Sequence, residues 1–435
     1  MTRLSTSSLK WPRSMAFPGF CIAFMLVFLQ VGLSYYISFQ MLALIVVLTI
    51  AYRSRIVVVN KAALFFIHGL LLFSIAITEH YSPMVISRNS INYLYTIIGI
   101  MLYAFLIMAI VHLRPKKIGR ILLVFRFASA ATICALSVLL VLTHLELTPL
   151  LDRKAMLMQN SSLVTNYSDE EMLERNLERQ DIPGYEIRPD LFYGEASYLG
   201  VVLFACLGSF MLTSKLISEY MNGIRSVVLE SSSHGKYGRY VVIVGILSLL
   251  SLSSLSSIVY AMVLLFHGSV AIIKRYLSFS KLFPYIACLA VFLFAYPDIL
   301  QYFFFRITME DSVSLAQRFG SLLNFDASDY LFGVKDESKL PEEGFHNGLF
   351  YIIAISGLAG ILYTILILRA VHRLAKPIKM SGLLTLIVLA LIMQNGAVFS
   401  PNKVVLFALI LLPLSCVRTV YARDSSRIPV RVSSD

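Results

Sequence analysis

Long apolar stretches follow one another along almost the whole chain. Each stretch holds about 20 residues, which as a helix is enough to cross a hydrocarbon core about 30 Å thick. The pattern therefore predicts an all-α integral membrane protein with about twelve transmembrane helices. They are predicted at residues 15–33, 35–52, 56–79, 91–113, 121–146, 192–213, 240–254, 256–273, 282–300, 346–368, 381–399 and 404–421.

Two of these boundaries depend on short breaks inside longer apolar runs. The run 14–52 is too long for one helix, and we place its break at "GLS", residues 32–34. The run 240–273 is broken at the serine-rich segment 251–257, "SLSSLSS". Serines commonly line close helix contacts in membranes, so a turn or packing role is favoured over a catalytic one.

Two long polar segments interrupt the apolar pattern and are predicted to be large loops on one side of the membrane. The pattern divides the chain into an N-terminal transmembrane bundle (1–146), a first loop (147–191), central transmembrane helices (192–300), a second loop (301–345), C-terminal transmembrane helices (346–421) and a tail (422–435).

Composition and charge support the membrane prediction and orient the chain. Apolar residues make up 58% of the sequence and charged residues only 14%. Most of the 37 Lys and Arg fall on one predicted side, in clusters such as 114–120, 274–275 and 369–379, whereas most of the 25 Asp and Glu fall in the two loops. The positive-inside rule then predicts that both termini are cytoplasmic and that both loops lie on the outer side of the membrane. The net charge of +12 indicates contact with membrane lipids rather than with nucleic acid.

Several kinds of site leave no signature. The five cysteines all fall inside predicted spans, so no disulfide framework or metal-ligand spacing is visible. Walker, dinucleotide-binding, HExxH and GxSxG motifs are absent from the sequence. We predict neither a metal nor a cofactor.

The end of the first loop carries the first candidate residues. Arg188 precedes Pro189, which favours an extended backbone just before the sixth span. Glu195 follows near the predicted membrane surface, where the positive end of a helix dipole favours an ionised carboxylate. Both residues are candidates for a site on the outer side of the membrane. The alternatives are a weak surface ion pair for Arg188 and a helix-start residue without further role for Glu195.

The second loop contains Arg318 within a helical pattern, on the same face as Leu315 and Leu322. An arginine on an apolar face needs a partner. One interpretation is that it reaches towards lipid phosphates. The other is that its guanidinium group binds a diphosphate through two parallel hydrogen bonds.

His346 lies where the second loop enters the tenth predicted span. An imidazole at a water-accessible helix start can accept a proton from a sugar hydroxyl or hydrogen-bond a phosphate when charged. Ser356 and Gly360, four positions apart, would let this helix pack closely against a neighbour. The alternative is a neutral histidine that only packs at the interface.

Two of these segments resemble motifs of a known family. The segment "FYGEASYLG" (192–200) resembles the F-x-E-P-S-Y element of the bacterial O-antigen and exopolysaccharide polymerases, the Wzy type. The segment "GFHNGLFYIIAISGLAG" (344–360) resembles the H-[NS]-x-x-L…G-x-x-G element that these polymerases share with O-antigen ligases. Two departures stand out: Ala196 replaces the usual proline, and the segment 251–257 lacks the Ser-Arg often found there.

The resemblance implies a GT-C-like bundle of about twelve helices and a metal-independent glycosyltransferase in the bacterial inner membrane. Its substrates would be undecaprenyl diphosphate-linked glycans, and a chain-length regulator and a flippase are candidate protein partners. By the same resemblance, Arg188 and Arg318 bind diphosphate and His346 or Glu195 acts on the acceptor hydroxyl. Tyr198 and Asn347 would have supporting roles.

Two other functions remain open from the sequence. An O-antigen ligase would share this framework but transfer the glycan to the lipid A core. A polysaccharide flippase or other transporter usually has short outer loops and ionisable residues deep in its spans. Here the charges within the predicted spans lie near the span ends.

Overall fold

The structure is a computed structural model. It describes residues 13–29, 39–53, 56–58, 69, 113–115, 118–145, 191, 196–224, 232–252, 255–276, 325–334, 339, 347–394, 401–418 and 420–421.

The described residues are almost entirely helical. The helices are α1 (Arg13–Val27), α2 (Phe39–Arg53), α3 (Ile118–His144), α4 (Ala196–Ile224), α5 (Ser232–Ser251), α6 (Leu255–Tyr276), α7 (Ala327–Phe332), α8 (Gly348–Ala375), α9 (Ser381–Met393) and α10 (Pro401–Ser415).

One pair of short strands was not predicted. Strand β1 (Ile56–Val58) pairs antiparallel with β2 (Leu113–Pro115), with Val57 opposite Arg114. The predicted spans 56–79 and 91–113 are therefore wrong at these two ends. The β-branched run of β1 favours extended backbone, and pairing satisfies its hydrogen bonds. The remainder of both spans lies outside the described residues, apart from the helical Gly69.

The described helices support a membrane protein. Three of them contain segments long and apolar enough to cross a membrane, at Ile118–Thr143, Ser197–Glu219 and Gly348–Ala375. Shorter apolar helices accompany them. The predicted break at 251–257 is confirmed, since α5 ends at Ser251 and α6 begins at Leu255. The start predicted at 404 is wrong by one helical turn, because Pro401 begins α10, and proline suits a first helical position.

Close contacts give the directions of the helices. A Cβ atom added to Gly208 in α4 would lie 2.3 Å from Ile387 Cδ1 of α9 and 3.4 Å from Ile410 Cδ1 of α10. The Tyr421 hydroxyl, in the turn after α10, donates a hydrogen bond to Glu219 of α4. Glu219 follows Gly208 by the same number of residues as Tyr421 follows Ile410. Helices α4 and α10 therefore run in the same direction.

Helices α6 and α8 share this direction. Gly200 of α4 meets Ser257 of α6, and one turn further on Phe204 stacks on Tyr260 with ring centroids 4.5 Å apart. Helix α8 ends close to Pro377, whose carbonyl accepts a hydrogen bond from Tyr421. Helices α4, α6 and α10 therefore begin at one end of the bundle, which we call the Tyr198 end, and the part of α8 after its kink at Gly357 runs in the same direction.

Helix α4 is the centre of the described bundle, and it packs against α3, α5, α6, α9 and α10. Every side chain from Tyr198 to Phe210 is buried. Glycine at 208 and 245 allows the close approach, since a Cβ atom at Gly245 of α5 would lie 2.6 Å from Leu207. Consequently, the segment that resembles a polymerase motif leads into a deeply buried helix.

Candidate functional site

The structure describes two of the six predicted site residues. Tyr198 lies in the first turn of α4, and Asn347 directly precedes α8. The other four, Arg188, Glu195, Arg318 and His346, lie outside the described residues. By sequence, Glu195 directly precedes α4 and His346 directly precedes Asn347.

The first turns of α4 are held tightly by packing. Tyr198 is 7% exposed, and Leu199 is fully buried. A Cβ atom on Gly200 would lie 2.1 Å from Ser257 Oγ and 3.3 Å from Ser257 Cβ. Glycine at position 200 therefore lets α4 and α6 approach closely.

Ala196 stands where the polymerase motif that this segment resembles has proline, and alanine there is compatible with the observed helix. Ala196 is the first residue of α4 as described. Proline is tolerated in the first helical turn because its missing N–H has no intrahelical partner there. Alanine at such a position therefore keeps the same backbone.

The serine-rich segment has the packing and turn role that its composition favours. The Ser251 hydroxyl donates to the carbonyl of Ser248 at 2.8 Å, at the end of α5. Ser257 is fully buried against Gly200. Both serines thus take part in the structure of the Tyr198 end.

Asn347 caps α8. Its side-chain oxygen accepts a hydrogen bond from the N–H of Leu349 at 2.9 Å, and the residue is 3% exposed. An asparagine side chain at this position satisfies a donor that the helix itself leaves open. The cap fixes the chain immediately after His346.

The small residues of α8 serve a bend rather than the contact with a neighbouring helix that we expected. Gly357 has φ 52° and ψ −135°, so the helix is kinked there. A Cβ atom on Gly360 would lie 2.2 Å from Ile352 Cγ2 and 2.3 Å from Ser356 Oγ, both within α8 itself. Gly360 is thus needed to close the bend.

The end of the second loop is folded against α8. Asp329 of α7 is buried, and its carboxylate accepts the backbone N–H of Asp326 at 2.8 Å. Lys339 donates to Asp329 at 2.8 Å and to Asp326 at 2.5 Å. The bonds to Asp326 and Asp329 raise the pKa of the Lys339 ammonium group, which keeps its charge throughout the neutral range.

Lys403 is a candidate that sequence reasoning missed. It lies in the first turn of α10, is 1% exposed, and donates to the carbonyl of Gln394 at 2.5 Å. A fully buried lysine is rare and signals a specific role. The signal in the sequence was Pro401, which places Lys403 inside the helix rather than in the preceding loop.

Helix register places Lys403 at the same depth as the start of α6. Ile410 lies level with Gly208, so Lys403, seven residues earlier, lies level with Val201 of α4. Ser257 lies level with Gly200 on another face of α4. The Tyr198 end therefore combines an aromatic hydroxyl, a serine hydroxyl and a buried lysine amine within about one helical turn of depth.

Comparison of this chain with protein-family models, with curated proteins and with solved structures finds no match.

Proposed function

We propose that this protein is a glycosyltransferase that polymerises undecaprenyl diphosphate-linked oligosaccharide repeat units at the periplasmic face of the bacterial inner membrane. The observation that carries the proposal is that each motif segment leads directly into a long apolar helix. Helix α4 follows "FYGE", and α8 follows "GFHN". Both helices contain segments long and apolar enough to cross a membrane.

In the proposed reaction, a hydroxyl oxygen of one lipid-linked repeat attacks the anomeric carbon of a second glycan. The bond between that carbon and the diphosphate oxygen breaks, and undecaprenyl diphosphate leaves with the electron pair. His346 or Glu195 takes the hydroxyl proton. Arg188 and Arg318 bind the diphosphate and stabilise the charge that grows on it.

The described residues contribute rigidity to this proposal. Asn347 caps α8 beside His346, and Gly200 lets α6 brace the start of α4. Lys403 ties the start of α10 to the carbonyl of Gln394. A rigid frame of this kind suits a reaction that depends mainly on holding two substrates in register.

The glycan profile of a deletion strain tests the proposal. If the protein is a polymerase, the strain displays single repeats on its surface and lacks long chains. A strain without repeats on its lipid A core indicates the ligase, and one that accumulates lipid-linked repeats in the cytoplasmic leaflet indicates the flippase. Either of these results would contradict the polymerase.

A further inference from the structure

Residues 325–334, which we call the docked segment, are built into the first turns of α8. Phe325 and Val334 pack with Phe350, Ile353 and Ala354 in a small buried cluster separate from the main core. The N–H of Val334 donates to the carbonyl of Ala354 at 2.9 Å. In an unbroken helix that carbonyl would accept the N–H of the residue four positions later. The docked segment thus bonds directly to the backbone of α8.

Gly357 makes this contact possible in two ways. Its positive φ of 52° is a conformation that glycine adopts readily and other residues rarely adopt. A Cβ atom there would lie 2.5 Å from the carbonyl oxygen of Leu331 and 2.7 Å from the backbone N of Gly333. Since both neighbours are backbone atoms, they cannot rotate away. The kink in α8 therefore forms a notch that fits the end of α7.

Lys339 forms ion pairs with Asp326 and Asp329, two residues of the docked segment. Asp329 is buried and bonded to both Lys339 and the backbone of Asp326. Lys339 lies five positions beyond Val334, so its contact with Asp326 folds the chain back across α7. The segment is thus held by an apolar cluster, a backbone hydrogen bond and an ion-pair triad at once.

We propose that Gly357, Asp329 and Lys339 are positioning residues, which hold the second loop on α8 so that Arg318 and His346 keep a fixed separation. This inference rests on the proposed function, in which Arg318 binds diphosphate and His346 takes a proton. By sequence, Arg318 lies seven positions before the docked segment, and His346 lies directly before the cap of α8. The docked segment therefore lies between Arg318 and His346 in the sequence. A displacement of about 1 Å between groups of a reacting site costs about a hundredfold in rate.

The docking itself is tested by a cross-link. Val334 and Ala354 are in direct backbone contact. Cysteines introduced at these two positions, after the five native cysteines have been replaced, should form a disulfide on mild oxidation. The yield should fall several-fold in the Gly357→Ala background. An equal yield in both backgrounds would show that Gly357 does not control docking. This readout does not depend on catalysis.

The positioning role is tested on purified protein with the lipid-linked repeat of the source strain as substrate. Gly357→Ala should lower kcat at least about tenfold and leave KM within about twofold. Lys339→Met should lower kcat less, and Lys339→Arg should restore it. Gly382→Ala is the matched control, because a Cβ atom at Gly382 meets nothing within 4 Å.

Rescue separates positioning from general loss of structure. When Gly357→Ala is combined with the two cysteines and the cross-linked fraction is isolated, that fraction should regain most of kcat, and reduction should remove it again. If the disulfide inhibits the otherwise native protein, the segment must leave α8 during turnover and the proposal is overturned. If the disulfide forms but the native protein never extends glycans, the proposed function fails and the docking stands.

Discussion

At the residue scale, the proposed glycosyl transfer depends on side chains that were identified from the sequence alone. Replacing Arg188 or Arg318 by alanine should slow chain extension at least about tenfold, because each charge-assisted hydrogen bond to phosphate contributes about 1.5 to 3 kcal/mol. Arg→Lys at either position should recover only part of the rate, since the charge remains but the bidentate geometry is lost. Glycan ladders, with protein abundance measured alongside, report the effect.

His346→Ala should abolish chain extension at normal abundance, since no other described group in α8 can take its place as a base near the helix start. His372 lies at the opposite end of the same helix and is exposed. His372→Ala is therefore the control, and its ladder should be close to that of the native protein. Long chains in the His346 variant would disprove its role as the base.

Gly200 offers a test of packing that needs no substrate. Gly200→Ala should lower the free energy of unfolding by about 1 to 3 kcal/mol, because the new methyl group overlaps Ser257 Oγ. Removing that hydroxyl by Ser257→Ala should relieve part of the cost in the double variant. Thermal unfolding in detergent measures all three proteins. Strict additivity of the two changes would mean that the contact is absent.

At the scale of elements, the α9–α10 hairpin depends on one polar contact. Lys403 is fully buried and bonded to the Gln394 carbonyl, so the start of α10 is tied to the end of α9. Lys403→Met keeps the length of the side chain and removes its amine. It should destabilise the protein by about 1 to 3 kcal/mol, because the buried carbonyl loses its donor.

An exposed lysine provides the comparison for this change. Lys376 lies in the turn between α8 and α9 and is exposed. Lys376→Met should change the melting temperature in detergent by no more than a degree or two, on the order of what surface substitutions cost. If the two variants melt alike, the contact of Lys403 contributes nothing to stability.

At the scale of the whole molecule, the direction of the helices allows a direct test of orientation. Asp329 lies in the predicted periplasmic loop but is buried, whereas its neighbour Ser328 is exposed. Cysteines at Asn166 and Ser328, with the native cysteines replaced, should react in intact cells with a membrane-impermeant thiol reagent. A cysteine at Lys376, at the other end of the bundle, should react only after the membrane is opened. Labelling of Lys376 in intact cells would reverse the proposed orientation.

The sequence by itself determined that the described chain is mostly apolar helix and where α5 and α6 separate. In a membrane each helix must satisfy its own backbone hydrogen bonds. The length and apolarity of a segment therefore decide whether that segment forms a helix. The break at 251–257 follows from the same local rule. The candidate residues Arg188, Glu195, Arg318 and His346 also came from the sequence alone, by resemblance of short segments.

Tertiary structure alone decided how these elements meet. The notch at Gly357, the burial of Asp329 and the enclosure of Lys403 each depend on residues distant in the chain. Hydrophobic periodicity describes one helix against its surroundings and carries no information on register between helices. For that reason Ser356 and Gly360 were expected to contact another helix, whereas they close a bend in their own.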